Sequence, residues 1–495
     1  MTTEFEELQR KLVEQWPAIG NPTDEDKTMV IVPSLTVELP PEVAPLLPAY
    51  EERFLFLLLL LAQPRARVVY VTSQPVPTRV VNYYLELVPG VDEREARGRL
   101  AFVSLGDSSR RPLTQKILDH PQAITRVRRL VQDPDRAHLV TFNTTALEEN
   151  LAVELGIPVY GAGAAFSSFG TKTGARRLFE EEGVPHPGGF EVSGPDDILD
   201  ALERLRANGS AGEAMVKLND GVGGLGNAVV PLSPWIDPSS LLTTMQVEGG
   251  DVARFLEIME VQGGVVEERI TGGEIRSPSV QFRVSPGGEI ELLSTHDQVL
   301  GGPTGQAFFG SRFPADPAYA PSIAAHAETI ARRLASEGVI GRFAIDFVVV
   351  KRGDGGWDVF AIEINLRKGG TTHPFLTLQF LTGGAYEGDA ARFMCRTGAK
   401  HYVATDHLEA PGFESLTPDD LLDLVDDEEG LRWDPVREEG VVFHMISALS
   451  AAGRVGMTAM GNSAQRADDI YRSAEATLRT AAEAAPGTSR RSSPA

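Results

Sequence analysis

Short apolar runs alternate with longer stretches of helical periodicity between Met29 and about Ala165. The runs have the length of strands, and they are TMVIVP, ARVVYVTS, GRLAFVSL, AHLVTF and IPVYG. Strands that alternate with helices are typical of an α/β unit with a mainly parallel sheet. The pattern therefore predicts such a unit at the start of the chain.

The pattern then changes to strands separated by glycine-rich turns. A helix is expected from about Lys172 to Glu182, followed between Glu213 and Gly310 by the strands AMVKL, NAVVPL, GVVEERI, SPSVQFRV and EIELLST. Another helix, from about Ala320 to Glu337, precedes two long strands, GRFAIDFVVV and WDVFAIEINL. A further unit is predicted from about Lys400, and the segment PGTSRRSSPA is expected to be a disordered tail.

A glycine-rich loop lies between two of these strands. DGVGGLGN, residues 220–227, contains Gly221, Gly223, Gly224 and Gly226, and three of these fit G-x-G-x-x-G. A dinucleotide-binding loop of that pattern opens into a helix, whereas this loop leads into a strand. The arrangement favours a flap whose backbone N–H groups cover phosphates, with Lys217 beneath it. The alternative is a glycine-rich hairpin with a lysine whose charge reaches solvent.

Two acidic residues occupy the long strands that follow the second helix. Glu363 and Asn365 share one face of their strand because side chains alternate. A two-residue turn at Asp354 and Gly355 would place Asp346 opposite Glu363. Facing carboxylates repel, and an oxygen ligand set of Asp, Glu and Asn suits magnesium bound to nucleotide phosphates. The alternatives are a shared proton, or a salt bridge to Arg342 or Arg367.

Composition narrows the classes of function. The formal net charge of -23 argues against a general nucleic-acid or anionic-membrane surface, because those partners need clustered positive charge. The single cysteine, Cys395, excludes an internal disulfide, and no Cys/His spacing suggests zinc. The acidic N-terminus and the short apolar run from Phe54 to Ala62 predict neither a secretory signal nor a membrane span. A cytoplasmic location is expected.

Together these motifs resemble the ATP-grasp superfamily, which includes D-alanine ligases and biotin carboxylases. The resemblance implies an ATP-grasp fold, in which two α+β subdomains grip the nucleotide, flanked by the N-terminal parallel-sheet α/β domain and a small C-terminal α+β domain. It implies ATP and Mg²⁺, or Mn²⁺ in its place, as cofactors. The implied domains are residues 1–165, an ATP-grasp domain at 166–395 with its lid at about 213–275, a C-terminal domain at 400–486 and the tail at 487–495.

The resemblance also implies roles for individual residues. Lys172 and Lys217 match the two lysines that meet the nucleotide, and VVEERITGGE matches the adenine hinge. Main-chain groups around Glu268 and Ile270 would pair with adenine, Glu267 would lie near its amino group, and Glu274 would hold the ribose hydroxyls. Asp346, Glu363 and Asn365 match the metal ligands. D-alanine ligases carry an arginine where this chain has Ala344, so another arginine would contact the transferred phosphate. Arg367, immediately after the metal-binding strand, is the first choice, and Arg276, Arg312 and Arg342 are the other candidates.

More narrowly, three segments resemble the pheganomycin-type peptide ligases of actinomycetes: VVYVTSQPVPTRVVNYYLELVPGV, DSSRRPLTQKIL and EINLRKGGTTHPFLTLQFLTGG. This implies a carboxylate–amine ligase that works through an acyl phosphate and releases ADP and phosphate. Its partners would be a small-molecule carboxylate and an amine, the latter in a peptide in that family, and a homodimer is left open. The alternatives are activation of bicarbonate or another acid for a non-peptide acceptor, and a nucleotide-binding regulator without turnover.

Two histidines close to these motifs are also open to two interpretations. His373 could assist loss of the amine proton, or it could be a hydrogen-bonded structural histidine. His296, with Asp297, could line the acceptor site.

Overall fold

A computed structural model describes residues 3–20, 25–37, 45–210, 212–221, 226–232, 242–247, 250–302 and 305–484. Its first part is a four-stranded parallel sheet in the order β3-β2-β1-β4. The strands are β1 Lys27–Val32, β2 Ala66–Thr72, β3 Leu100–Ser104 and β4 Ala137–Thr141. The helices are α1 Thr3–Gly20, α2 Leu47–Glu52, α3 Thr78–Glu86, α4 Glu93–Gly98, α5 Leu113–Leu118, α6 Pro121–Leu130 and α7 Ala146–Leu155. The predicted α/β unit is confirmed.

The second part is a five-stranded antiparallel sheet, here called the lid sheet, in the order β5-β9-β6-β7-β8. Its strands are β5 Gly189–Val192, β6 Glu213–Leu218, β7 Asn227–Pro231, β8 Gln246–Val247 and β9 Gly264–Glu268. Its helices are α8 Lys172–Glu181, α9 Pro195–Ala207 and α10 Val252–Gln262. The side chain of Thr171 accepts a hydrogen bond from the Gly174 N–H and so caps α8, which places Lys172 at the first turn.

The third part is a 12-stranded sheet, here called the central sheet. Its strands are β10 Ile275–Arg276, β11 Pro278–Val284, β12 Ile290–Gly301, β13 Ala307–Phe313, β14 Gly341–Lys351, β15 Trp357–Asn365, β16 Ala385–Glu387, β17 Arg392–Cys395, β18 Gly398–Glu409, β19 Trp433–Asp434, β20 Glu439–His444 and β21 Arg454–Gly461. The helices are α11 Ala320–Ser336, α12 Thr372–Thr382, α13 Pro418–Asp427, α14 Ala448–Ala452 and α15 Ala464–Ala484. Strand β18 pairs with β13, so the sheet continues across the predicted domain boundary near Lys400.

Single-turn and longer 3₁₀ helices complete the regular structure. They are Arg53–Ala62, Pro134–Arg136, Ala164–Gly170, Leu242–Thr244, Gly388–Ala390, Phe413–Ser415 and Glu429–Leu431. The apolar run after α2 is thus a buried 3₁₀ helix, and it packs in one core with residues of α12 and the C-terminal strands. No helix in the part of the chain described above is long and apolar enough to cross a membrane. The predicted tail at 487–495 lies outside the described residues.

The alternation of side chains along β14 decides which face carries polar groups. Phe343, Ile345 and Phe347 are buried in one core with the apolar face of α11, and the ring of Phe343 stacks on that of Phe282 at 6.2 Å. Because neighbouring residues of a strand point to opposite faces, Asp346 is directed away from that core. Burial of the apolar face therefore fixes the direction of the carboxylate.

Candidate active site

The β14–β15 hairpin brings Asp346 opposite Glu363 and Ala344 opposite Asn365. The predicted facing pair is present, but the predicted two-residue turn is wrong. The N–H of Arg352 bonds to the Gly356 carbonyl at 2.8 Å, and Gly355 adopts a φ of 87°. This is a three-residue loop with a left-handed glycine, which shifts the register by one residue. A bulge between Asp346 and Phe347 shifts it back, and the two carboxylates face each other.

The three polar side chains of this hairpin contact one another. The amide Nδ2 of Asn365 donates to Asp346 Oδ2 at 3.1 Å and to Glu363 Oε1 at 2.9 Å. Glu363 Oε2 accepts a hydrogen bond from the ammonium of Lys172, at the start of α8. Neither Arg342 nor Arg367 supplies the counter-charge that the sequence left open. Lys172 supplies it.

The pKa values of the two carboxylates are shifted in opposite directions. Burial raises the pKa of Asp346 to about 7, and the charge of Glu363 adds to the shift. Burial alone would also raise the pKa of Glu363, but the Lys172 ammonium and the hydrogen bond from Asn365 lower it below its usual value. A proton is therefore held at Asp346 near neutral pH. A divalent cation can take the place of that proton.

The donor set fits a hard divalent ion. Two carboxylates and an amide oxygen are ligands that suit Mg²⁺, which keeps several coordination positions for water and phosphate oxygens. Asn365 offers its Oδ1 when the amide, which donates here through Nδ2, turns by half a rotation. The side chain of Glu363 is 25% exposed, which leaves that side open. Ser279, opposite Asp346 on β11, and Gln298 also donate hydrogen bonds to Asp346. These bonds orient the Asp346 carboxylate toward Glu363.

The second predicted lysine, Lys217, lies in the lid sheet. Its ammonium bonds to Glu267 Oε2 at 2.8 Å, and Arg176 contacts Glu267 Oε1 at 3.3 Å. Lys217 and Glu267 are both buried. Glu267 thus holds two cations in the nucleotide-free protein. Sequence reasoning missed Arg176, although its position four residues after Lys172 places both on one face of α8.

The flap follows Lys217 as predicted, because β6 and β7 form an antiparallel hairpin with Lys217 opposite Asn227. Gly221 and Gly226 are described, and Gly226 has a φ of 87°, which favours glycine. Gly223 and Gly224 lie outside the described residues. Asn219 joins the flap to α8, since its carbonyl accepts from Lys172 N at 3.2 Å and its Oδ1 from Thr173 N at 3.0 Å.

The predicted hinge residues follow β9. Glu268 accepts hydrogen bonds from Gly188 N and Ser210 Oγ, both at 3.2 Å. Ile270 is partly buried and lies beyond the end of the strand. Glu274 is ion-paired at 2.9 Å with both Lys351 and Arg276. It lies beside the Lys351 end of β14, and Asp346 is five residues from that end, roughly 17 Å along the strand.

Three of the candidate arginines occupy different surroundings. Arg276 is exposed and paired with Glu274. Arg342 lies opposite Arg283 on β11; burial and the charge of Arg283 lower its pKa to about 10. Arg367 alone of the three reaches the flap, where its Nη2 donates to the Gly221 carbonyl at 3.4 Å. Its location favours Arg367 for contact with an anion near the flap.

Arg367 also lines a cavity of about 520 Å³ between the three parts of the molecule. The N-terminal sheet region contributes Thr36 and Asn143, and the lid contributes Asp220 and Arg254. Sequence reasoning missed these residues because they are brought together only by packing between parts. The described structure thus places an open cavity of mixed polar and apolar lining next to the flap and to the end of β15.

The histidines near the motifs are in the interior. His296 is fully buried, and its Nε2 contacts the Tyr402 hydroxyl at 2.7 Å. Asp297 accepts hydrogen bonds from Tyr319 and from the Asp316 N–H. His373 is also buried and contacts His444 and Asp406. Both histidines are thus held inside the fold by these contacts, and a role for them at the acceptor amine stays a prediction.

A lid sheet and a central sheet, with the facing carboxylates and two lysines between them, form the arrangement of the ATP-grasp fold. The fold is the ATP-grasp fold: the chain superposes on the ADP complex of N5-carboxyaminoimidazole ribonucleotide synthetase with a TM-score of 0.54 and 11% identity, over 92% of this chain and 97% of that one. It superposes on biotin carboxylase from Campylobacter jejuni with a TM-score of 0.54 and 14% identity, over 93% and 96% of the two chains.

Sequence comparisons agree with the fold. The family described as IQCH-like, ATP-grasp matches residues 250–388, and the family described as PGM1 C-terminal domain matches residues 420–474. The chain is 29% identical over 447 residues to the L-propargylglycine–L-glutamate ligase of Streptantibioticus cattleyicolor, with 88% of this chain and 91% of the relative covered. The resemblance predicted from the sequence is confirmed: the chain is an ADP-forming ligase with the ATP-grasp fold.

Proposed function

We propose that the chain joins an amino acid carboxylate to the amine of an amino acid or peptide by way of an acyl phosphate. The observation that carries the proposal is the facing pair Asp346 and Glu363 beside Lys172, with Arg367 at the flap. This arrangement brings positive charge and a set of ion-binding side chains together where a triphosphate would end. The chemistry is therefore assigned to the space between the lid sheet and the central sheet.

Asp346, Glu363 and Asn365 would hold Mg²⁺. A bound Mg²⁺ neutralises charge on the β and γ phosphates and polarises the γ phosphorus. Binding of the ion would require Asp346 to release its proton. The Lys172 ammonium, which is bound to Glu363, would then turn toward phosphate oxygens. These ion pairs keep the side chains in place until the nucleotide binds.

Residues of the lid complete the phosphate and adenine contacts. Lys217 lies on the strand below the flap, and binding of a phosphate would draw it from Glu267, which keeps Arg176 as its partner. The backbone N–H groups of the flap would cover the phosphates, and closure excludes water from the reacting groups. Main-chain groups around Glu268 and Ile270 would pair with adenine, with Glu267 near its amino group and Glu274 at the ribose.

The reaction needs no protein nucleophile. A carboxylate oxygen of the acyl donor attacks the γ phosphorus, the bond to the β–γ bridging oxygen breaks, and ADP leaves with that oxygen. The amine nitrogen then attacks the acyl carbon and loses one proton, and the carbon–oxygen bond to phosphate breaks. Arg367 would stabilise the charge on the transferred phosphate, as preorganised donors do in a water-excluded site.

The lining of the cavity supports this class of substrate. It includes Arg254 on the lid, which is ion-paired with Glu257 at 3.2 Å, and Arg367 beside the flap. An amino acid has a carboxylate to meet such a group and an ammonium to meet Asp220. The matched relative is named for two amino acids. We therefore assign amino acids, with a peptide as the larger acceptor, to this space.

The test combines substrate screening with isotope transfer. Purified protein is incubated with ATP, Mg²⁺ and pairs of amino acids and short peptides, and ADP, phosphate and product mass are followed. With a donor whose carboxylate carries ¹⁸O, one labelled oxygen is expected in the released phosphate. Label in AMP, or ADP release that needs bicarbonate and no amine, would contradict the proposal.

A further inference from the structure

A second polar cluster lies in the interior, away from the hairpin carboxylates. It consists of His373 on α12, Asp406 on β18 and His444 on β20, all buried. Its members are far apart in the sequence, so no short Cys/His spacing could have indicated them. The cluster is defined by these three residues.

Three donor atoms of the cluster point at one another. His373 Nε2 lies 3.0 Å from His444 Nε2 and 3.3 Å from Asp406 Oδ1, and His444 Nε2 lies 2.8 Å from the same oxygen. Ligand atoms about 2.0–2.1 Å from a tetrahedral ion lie roughly 3.3 Å apart. The three atoms therefore form a triangle of nearly the size that such an ion needs.

Protons alone do not satisfy this triangle. If both Nε2 atoms carry a proton, two N–H groups meet at 3.0 Å. If only one does, the lone pair of the other nitrogen faces the carboxylate oxygen. In either state one of the three contacts is repulsive, and repulsion between buried polar groups is costly. One cation at the centre makes all three contacts favourable.

One contact outside the cluster fixes a ligand. Arg53 Nη1 donates to the other oxygen of Asp406 at 2.9 Å, which orients that carboxylate. The Nδ1 of His373 is buried without a hydrogen-bond partner in the described structure, so the ring makes its polar contacts through Nε2.

We propose that His373, Asp406 and His444 form a structural site for a first-row divalent transition metal, with Zn²⁺ as the ion that fits the donor set best. Imidazole and carboxylate ligands suit zinc, and the three donor atoms leave one of its four tetrahedral positions for a further ligand. The ion would fasten the first turn of α12 to the C-terminal strands β18 and β20. Because α12 begins five residues after Arg367, this also fixes the segment that carries Arg367.

The test measures metal content directly. Protein expressed in zinc-supplemented medium and dialysed against a chelator is analysed for zinc, iron, cobalt, nickel and manganese by mass spectrometry. About one equivalent is expected in the wild type, since the site is buried, and none in H444Q or D406N. A different first-row ion at one equivalent supports the site and replaces zinc as its ion.

Three controls make the result specific. E363Q removes the hairpin site, so metal that remains in this variant belongs to the histidine cluster. H138Q is the control that changes a buried histidine outside that cluster. If H444Q does not fold, wild type refolded from denaturant with Co²⁺ should show the absorption bands of a tetrahedral cobalt site. Wild type that carries no metal and takes up no Co²⁺ on refolding would overturn the proposal.

Discussion

Two acidic clusters lie in or against the central sheet, and they differ mainly in access. The hairpin cluster has Asp346, Glu363 and Lys172, and the Glu363 side chain is 25% exposed. The histidine cluster has side chains that are only 4–6% exposed. A site that exchanges nucleotide at every turnover needs open coordination positions, and a site that holds structure needs none. Solvent access therefore distinguishes a reactive site from a structural one where residue types alone do not. The hairpin cluster is here called the open cluster, and the histidine cluster the closed cluster.

The clusters also differ in how their charge is balanced. In the hairpin cluster Lys172 offsets Glu363, and Asp346 is left to hold a proton. In the histidine cluster Arg53 bonds to Asp406; burial would raise the pKa of Asp406, but the adjacent His373 and Arg53 hold it well below its usual value. The first cluster is thus poised to exchange a proton for a cation near neutral pH. In the second, His373 and Arg53 keep the Asp406 carboxylate ionised.

The largest expected effect is on turnover when the open cluster loses its charge. E363Q should lower the rate of ADP release by on the order of 10²–10³-fold, because a charge that holds the cation and Lys172 is lost. Initial rates at saturating ATP measure this. The matched control is D358N on the same strand, whose carboxylate is exposed and paired with Arg352. Turnover of E363Q equal to that of D358N would show that the open cluster is not catalytic.

A change in the closed cluster should lower the free energy of unfolding. R53M leaves the buried charge of Asp406 without its arginine, which costs about 3–5 kcal/mol when one partner of a buried pair is removed. Denaturant titration measures the free energy of unfolding. R79M, which removes an exposed arginine paired with Asp423 at 2.8 Å, should change it by less than about 1 kcal/mol. Equal losses in the two variants would remove the energetic contrast between the clusters.

Proton competition should sharpen the comparison near neutral pH. The pKa of Asp346 is about 7, so below it the carboxyl is protonated, and the cation must displace that proton. Mn²⁺ affinity at the open cluster, followed by electron paramagnetic resonance, should therefore fall about tenfold from about pH 8 to about pH 6. Burial lowers the pKa of His373 to about 3, so this histidine of the closed cluster should not titrate in the same range. The same slope in D346N would assign the effect to another group.

The strands and the facing pair could be predicted from the sequence because they depend on local periodicity. Alternation on β14 and β15 placed Asp346 with Glu363, and glycine next to Asp354 indicated a turn there. The turn length was wrong because a three-residue loop and a two-residue turn share the same residues. The bulge that corrects the register depends on packing of the hairpin in the sheet, which no local pattern encodes.

The groups that neutralise charge could not be predicted in the same way. The pairing of Lys172 with Glu363 was not expected, and Arg176 was missed, because both contacts depend on how α8 packs against the two sheets. The histidine cluster joins a helix and two strands that are distant in the sequence. Whether a histidine is buried or exposed is a result of the tertiary structure, and the sequence alone therefore left the role of His373 open.

The smallest expected effect concerns an exposed carboxylate that belongs to neither cluster. Glu274 binds Lys351 and Arg276 at the surface, and these cations lower its pKa through a hydrogen bond and charge. Since solvent screens such pairs, E274Q should leave stability unchanged and raise the KM for ATP by about two- to threefold through a weakened ribose contact. E291Q, which removes an exposed carboxylate paired with Arg283, is the control. The KM for ATP measures the difference, and an E274Q turnover as low as that of E363Q would mean that access does not distinguish reactive carboxylates here.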